Sequence, residues 1–196
     1  MGAPPSGDLF GAAEPDQIER LFLGLMLPPD AAGAASAVLD GARRDEGLKG
    51  AAIRPDRRHV TLIHVGDYRG ALPGSVVAAL QTAAGNLSES GFDVAFDHAG
   101  SFAGAPGNHP FVLLGGEGAK ALAGFRDRLF KVVLRAGVRT LSREAFTPHV
   151  TLAYGDRRLP ERPIEPVRWR ATELVLIHSE VGRSTYHTLG RWPLVD

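Results

Sequence analysis

The sequence predicts an α+β protein in which helices pack on the outer faces of largely antiparallel sheets. Two observations support this prediction. Apolar and alternating patterns follow the order strand, helix, strand, helix, strand, strand, helix, strand, strand, strand along the 196 residues. In addition, the tetrapeptide His-Val-Thr-Leu occurs at residues 59–62 and again at 149–152, which indicates a duplicated strand.

The first predicted strand is a short, continuous apolar run at residues 21–27. Its length and composition are typical of a strand that is buried on both faces. Pro28 and Pro29 end the run and favour the start of a helix, because proline is well tolerated in the first helical turn. This helix is predicted to continue through an alanine-rich segment to about residue 44, with Asp30 as its N-cap.

The middle of the chain alternates between loops, strands and one helix. Residues 45–56 predict a loop, and residues 58–65 predict the strand with the first tetrapeptide. Residues 75–87 predict a helix, because their apolar side chains fall on one helical stripe. Large residues at alternate positions predict a strand at 92–98, and a short apolar run predicts a buried strand at 111–114.

The last third contains the clearest helical pattern, at residues 119–136, where apolar residues recur every three or four positions. Gly137 is expected to end this helix. The second tetrapeptide predicts a strand that begins at His149, and a proline-rich link follows at 159–166. Two closing strands are predicted at residues 171–179 and 185–195.

Composition limits the classes of function. Residues 1–17 are rich in Pro, Gly, Ala and acids and predict a flexible tail, while residues 18–196 predict a single folded domain. Lys and Arg total 22 and Asp and Glu total 22, so any recognition of nucleic acid must come from a local patch. The absence of cysteine excludes disulfides and Cys-based metal sites. We expect no signal peptide or membrane anchor, and a cytoplasmic monomer.

The two tetrapeptides carry the chemistry. Chance predicts only roughly 0.06 such patterns in a chain of this composition, so two copies with similar flanks indicate a true duplication. On a strand, side chains at i and i+2 share a face, so His59 pairs with Thr61 and His149 with Thr151. Two such strands facing one cleft would supply an acid, a base and hydroxyl donors around a phosphate. Spacing alone does not decide which histidine is the acid.

The paired His-x-Thr-x motifs resemble those of the 2H phosphoesterase superfamily, and in particular its RNA 2′,3′-cyclic phosphodiesterases, also called 2′-5′ RNA ligases. The resemblance extends over residues 21–194 and includes the Phe-Thr-Pro-His approach to the second motif. It implies two pseudo-symmetric lobes, each a small sheet backed by helices, with a motif strand from each lining a central cleft.

The same resemblance implies a reaction. His59 would protonate the leaving 3′ oxygen and His149 would activate water, which opens a 2′,3′-cyclic phosphate at an RNA end to a 2′-phosphate. No metal or cofactor would take part. The same site could also join such an end to a 5′-hydroxyl, giving a 2′-5′ linkage. Thr61 and Thr151 are expected to bind the phosphate.

Further candidates surround the motifs. Many members of the family have an arginine shortly after the second motif, where this chain has Tyr154, which a regular strand would place on the face opposite Thr151. Arg157 is therefore the nearby candidate for binding phosphate. Tyr186 is a candidate for stacking on a nucleobase or for packing in the core. His64 is expected on the face opposite Thr61 unless a bulge intervenes.

Other interpretations stay open at this point. The remaining histidines, His98, His109, His178 and His187, are predicted to be structural or exposed, and no His-Glu-x-x-His pattern or carboxylate cluster indicates a metal site. The same site would also suit another small nucleotide, such as ADP-ribose cyclic phosphate or a 2′-5′ oligonucleotide. A binding module for RNA ends without catalysis is the second alternative.

Overall fold

The computed structural model describes residues 17–140 and 146–195. The predicted tail therefore lies outside the described residues except for Gln17. The nine strands within these ranges are β1 (Ile18–Met26), β2 (Gly50–Ala52), β3 (His59–Arg69), β4 (Phe92–Ser101), β5 (His109–Leu114), β6 (His149–Gly155), β7 (Arg162–Ala171), β8 (Glu173–Glu180) and β9 (Thr185–Pro193). The helices are α1 (Pro29–Glu46), α2 (Gly74–Gly85) and α3 (Lys120–Arg135), with short 3-10 turns at Pro55–Arg57 and Glu117–Ala119.

The strands form two antiparallel sheets, which confirms the predicted α+β class. The first sheet has the order β3-β1-β8-β9 and the second has the order β2-β6-β5-β4-β7. The strand with the first motif, β3, is the edge of its sheet. The strand with the second motif, β6, pairs with β5 on one side. On its other side it pairs with β2, which is only three residues long. The two motif strands contact each other, so the sheets meet where the duplicated sequences lie.

The three helices pack against strands of both sheets. α2 packs against β8 and β9 of the first sheet, and α3 contacts β3 and β4, one strand from each sheet. α1 follows β1 of the first sheet but packs against β6 and β7 of the second. Its buried side includes Ala35, Leu39 and Ala42, small and branched residues that let the helix approach the sheet closely. No helix among the described residues is long and apolar enough to cross a membrane.

The start of α1 differs from the prediction. The helix begins at Pro29, and the residue that precedes it, Pro28, is extended and makes no side-chain capping bond. Asp30 is therefore not the N-cap but lies within the first turn. Its negative charge still favours the helix there, because the amino end of a helix carries a partial positive charge.

Two strands were not predicted. β2 lies inside the predicted loop 45–56, where three small residues give no periodic pattern. β7 overlaps the predicted link 159–166, because Pro163 and Pro166 obscured an alternating pattern that buries Val167 and Trp169. Proline lacks the N–H that an inner strand must donate, but β7 is an edge strand and tolerates it.

Both motif strands contain a β-bulge at the leucine of the motif. Leu23 pairs with Ile63 whereas the next residue, Gly24, pairs with Thr61, so Leu62 is the extra residue in β3. In β6 the extra residue is Leu152, because Phe111 pairs with Ala153 and Val112 with Thr151. Each bulge buries two successive residues and reverses the alternation of the side chains beyond it.

Gly24 allows β1 to lie against this bulge. A Cβ atom at this position would lie 2.6 Å from the backbone oxygen of Val60, which cannot move without displacing the motif strand. We therefore expect Gly24→Ala to lower the free energy of unfolding by about 1–3 kcal/mol, as in other overpacked interiors. The measurement is urea denaturation followed by circular dichroism.

Gly33→Ala is the matched control, because this glycine lies on the exposed side of α1 with no atom near the added methyl group. It should stabilise the protein by about 0.5–1 kcal/mol through helix propensity. Equal stability of the two variants would contradict the predicted clash.

Candidate active site

A cavity of about 350 Å³ lies where the two motif strands meet. Five of the six residues predicted for the site line it: His59, Thr61, His149, Thr151 and Tyr186. The sixth, Arg157, is not part of this lining, and its exposed guanidinium lies 3.5 Å from the carboxylate of Asp156. Six further residues complete the lining: Arg20, Phe22, Ile53, His64, Tyr154 and Ser179.

The bulges explain why His64 and Tyr154 face the cavity. Tyr154 was predicted on the face opposite Thr151, and this prediction is wrong because the extra residue Leu152 reverses the alternation. The bulge at Leu62 has the same effect on His64. Each motif strand therefore presents three side chains to the cavity instead of two: the histidine, the threonine and the residue at the fifth position after the histidine.

The two motif histidines are held in the same way. The Nδ1–H of His59 donates to the carbonyl oxygen of Arg57 at 2.8 Å, and the Nδ1–H of His149 donates to that of Thr147 at 2.9 Å. A carbonyl oxygen only accepts, so Nδ1 carries the hydrogen in both rings. The neutral tautomer then leaves the lone pair on Nε2, which is the nitrogen available for proton transfer.

Burial lowers the pKa of both imidazoles. For His59 the pKa falls from 6.5 to about 4, mainly because burial disfavours the cation; the positive charges of His149 and Arg57 also lower it, while the bond to the Arg57 carbonyl opposes the fall. The pKa of His149 is lowered by burial and partly restored by the Thr147 carbonyl. The sequence suggested one neutral and one protonated ring near pH 7, whereas both are predominantly neutral there.

Aromatic rings account for this burial. Phe22 of β1 stacks on His59 with 4.6 Å between ring centroids, and Tyr186 of β9 meets the same imidazole edge to face at 5.6 Å. On the other side of the cavity, Phe102 meets His149 edge to face at 5.0 Å. These contacts fix the planes of both imidazoles and shield them from water.

Arg20 supplies positive charge to the cavity. It lies on β1 two residues before Phe22, so the two share a face, and its guanidinium donates two bonds of 2.7 Å to Asp67. The His64 Nε2–H donates to the same carboxylate at 2.9 Å. These contacts, the bond from Arg20 first, lower the pKa of Asp67 to about 2. Asp67 therefore stays ionised and orients both side chains.

Arg20 was not predicted for the site, because no pattern in the chain links it to the motifs. The signal lay in the neighbouring strand. β1 pairs with β3 over nearly its whole length, and an arginine and a phenylalanine at alternate positions on β1 share the face of the motif side chains. Arg20 thus lines the cavity, whereas Arg157, the arginine that the sequence suggested, does not.

The other histidines lie apart from this lining. His98 bonds to Asp97 at 2.8 Å, His187 bonds to Glu180 at 2.6 Å, and His178 bonds to Glu19. Within residues 17–140 and 146–195, no three His, Asp or Glu side chains are grouped so that they could hold a metal ion.

Comparison with known families identifies the superfamily of this chain. A sequence model of the 2′-5′ RNA ligase superfamily matches residues 28–183. The chain belongs to this superfamily. The resemblance stated from the paired motifs is thereby confirmed, and the phosphoesterase class of the enzyme follows from it. The comparison with curated proteins finds no match.

Solved structures share the fold of this superfamily member. LigT of Escherichia coli aligns with a TM-score of 0.71 and 24% identity over 92% of this chain and 100% of that chain. TT0787 of Thermus thermophilus aligns with a TM-score of 0.70 and 22% identity over 89% and 97%. Usb1 of Kluyveromyces marxianus aligns with a TM-score of 0.51 and 14% identity over 88% and 97%.

The lowered pKa values give a direct test of the site. In a titration of the imidazole resonances by NMR, His59 should change protonation at about pH 4 and His149 below pH 6.5. Inorganic phosphate should raise both pKa values, because an anion in the cavity favours the imidazolium. Sodium chloride at equal ionic strength is the control. A midpoint of 6.5 for His59 would contradict its burial.

Proposed function

We propose that this superfamily member hydrolyses the 2′,3′-cyclic phosphate at RNA ends to a 2′-phosphate, without a metal or cofactor. The observation that carries the proposal is the pair of imidazoles, one from each sheet, whose Nδ1 atoms are tied to the backbone so that Nε2 remains for proton transfer. Two threonines and Arg20 in the same cavity support it, since a phosphodiester needs donors for its charged oxygens.

The proposed reaction assigns one proton transfer to each histidine. His149 Nε2 takes a proton from water as the water oxygen bonds to phosphorus. The bond from phosphorus to the 3′ oxygen breaks, and His59 Nε2–H gives its proton to that oxygen. The product has a free 3′-hydroxyl and a 2′-phosphate. With a 5′-hydroxyl in place of water as the attacking group, the same steps would form a 2′-5′ linkage, and their reversal would cleave it.

The protonation state of His59 must change when substrate binds. The ring is neutral near pH 7, yet an acid must hold a proton. The negative charge of the cyclic phosphate favours the imidazolium, so binding of substrate is coupled to uptake of a proton. Thr61 and Thr151 would donate hydrogen bonds to the phosphate without adding charge. The charges in the cavity are then those of the phosphate, the two imidazoles and the Arg20–Asp67 pair.

The proposed partner is RNA with a 2′,3′-cyclic end, bound by a monomer in the cytoplasm. That E. coli LigT was crystallised with 3′-AMP and with phosphate shows that a protein of this fold accommodates such groups. The alternatives named from the sequence, a different small nucleotide or a binding module without catalysis, predict other products or none.

Replacing either motif histidine by alanine should lower kcat by about 10²–10⁴-fold, the usual contribution of a positioned acid or base. The assay is hydrolysis of a 2′,3′-cyclic nucleotide and of a short RNA with that end in EDTA, with the product identified by ³¹P NMR. His98→Ala is the matched control, because this histidine lies on β4 beside Asp97. Near-normal turnover of both His59→Ala and His149→Ala would refute the mechanism.

The pH dependence follows from the direction of the pKa shifts. The reactive form has His59 protonated and His149 neutral, and raising the pH removes the proton from His59, whose pKa is about 4. Because both pKa values lie below 6.5, kcat/KM should be greatest below pH 6.5 and decline toward pH 9. The pH profile of kcat should be shifted to higher pH than that of kcat/KM, since bound phosphate raises the pKa values of both histidines. A kcat/KM that is flat from pH 5 to 9 would exclude an imidazole pair.

A further inference from the structure

A second cavity of about 350 Å³ adjoins the active site. Tyr186 lines both cavities. The second lies between the 3-10 turn Pro55–Arg57 and strand β9, and three arginines line it: Arg54, Arg57 and Arg191. Thr185 and Thr188 belong to the same lining, and the Thr185 hydroxyl donates to the Arg183 carbonyl at 3.3 Å. Guanidinium and hydroxyl groups are the donors that proteins use for phosphate oxygens.

The charge of this cavity is positive although the chain as a whole is neutral. Asp56 is the acidic residue in the lining and pairs with Arg54 at 2.6 Å. Arg191 bonds at 2.5 Å to Glu173, which lines a different cavity. Arg57 lies over the ring of Tyr186 at 4.1 Å, and its Nε atom is buried without a hydrogen-bond partner. A bound anion would offset this concentration of charge.

The proposed reaction determines which part of an RNA lies near this cavity. His59 protonates the 3′ oxygen, which belongs to the ribose, so the ribose lies on the His59 side of the phosphorus. The attacking water lies on the His149 side, because attacking and leaving oxygens are in line. Tyr186 is 5.6 Å from His59, and the arginine cavity begins at this tyrosine. The nucleoside therefore lies on the side of Tyr186 and the arginine cavity, and the phosphate on its 5′ oxygen is its anionic group besides the cyclic phosphate.

We propose that the arginine cavity binds the phosphate on the 5′ oxygen of the nucleoside that carries the cyclic phosphate. This inference rests on the proposed function, because it uses the role of His59. It makes an RNA end a better substrate than a nucleoside 2′,3′-cyclic phosphate alone. The 5′ phosphate has two sources, the internucleotide diester of an RNA strand or a terminal monoester, and both present anionic oxygens to the arginines.

The test compares three substrates at fixed salt: adenosine 2′,3′-cyclic phosphate, the same nucleotide with a 5′-phosphate, and the dinucleotide ApA with a 2′,3′-cyclic end. The dinucleotide should exceed the nucleoside in kcat/KM by about tenfold or more, mostly through KM, and the advantage should shrink as salt rises. A gain for the dinucleotide alone supports the diester as the source. An equal gain for the 5′-phosphorylated nucleotide supports the cavity as a general 5′-phosphate site.

Variants then localise the effect. Arg54→Ala and Arg191→Ala should each reduce the advantage of the dinucleotide by about fivefold or more and leave the nucleoside within about twofold of the wild type. Arg168→Ala is the matched control, because it removes the same charge from strand β7 on the second sheet. A similar loss in Arg168→Ala would indicate a nonspecific effect of charge and overturn the site.

Failure of this inference is distinguishable from failure of the proposed function. If the wild type turns over all three substrates with equal kcat/KM, the reaction stands and the arginine site is wrong. If no substrate turns over, binding of ApA 2′-phosphate and of 2′-AMP is compared by calorimetry in the wild type and in Arg191→Ala. Equal affinities in the wild type would overturn the site, and a dinucleotide preference that Arg191→Ala removes would support it.

Discussion

The active site depends on one repeated interaction, a hydrogen bond from the Nδ1 of each motif histidine to a carbonyl two residues earlier on the same chain. Because donor and acceptor lie two residues apart in the chain, this bond ties each imidazole to the start of its own strand, and the aromatic contacts from other elements fix the plane of the ring. The sheets need only bring the two strands together. Burial beneath Phe22, Tyr186 and Phe102 then gives these rings a low affinity for protons that an anion can reverse.

The bulges extend what each motif strand contributes. A regular strand would give the cavity one histidine and one threonine, and would direct the next polar residue to the core. The extra leucine in β3 and β6 places two buried residues in succession and returns the following side chain to the cavity. In β3 that side chain, His64, joins Asp67 and Arg20 in a charged group, while in β6 it is the phenol of Tyr154. The two halves are therefore similar in backbone and different in charge.

The sequence was most informative about features that follow from the regular alternation or helical repeat of side chains along one element. Alternation along a strand was enough to pair His59 with Thr61 and His149 with Thr151, and the same period located most strands and all three helices. It failed at Tyr154, because a bulge is stabilised by partners on neighbouring strands that a local pattern does not contain. It failed at β7, because edge position, which makes Pro163 acceptable, is a property of the sheet. Arg20 and the low pKa of His59 likewise depend on neighbours that only the fold supplies.

The order of the strands has a consequence for how the chain is made. β1 pairs on one side with β3 and on the other with β8, where Leu21 lies opposite His178. During synthesis, β1 and β3 emerge early but the first sheet cannot close until β4 to β7 have been made and β8 follows. Until then β1 exposes an unpaired edge, and such edges readily pair with other chains. A chain truncated before Glu173 would thus be prone to aggregation, because the addition of β8 is the step that covers the edge of β1.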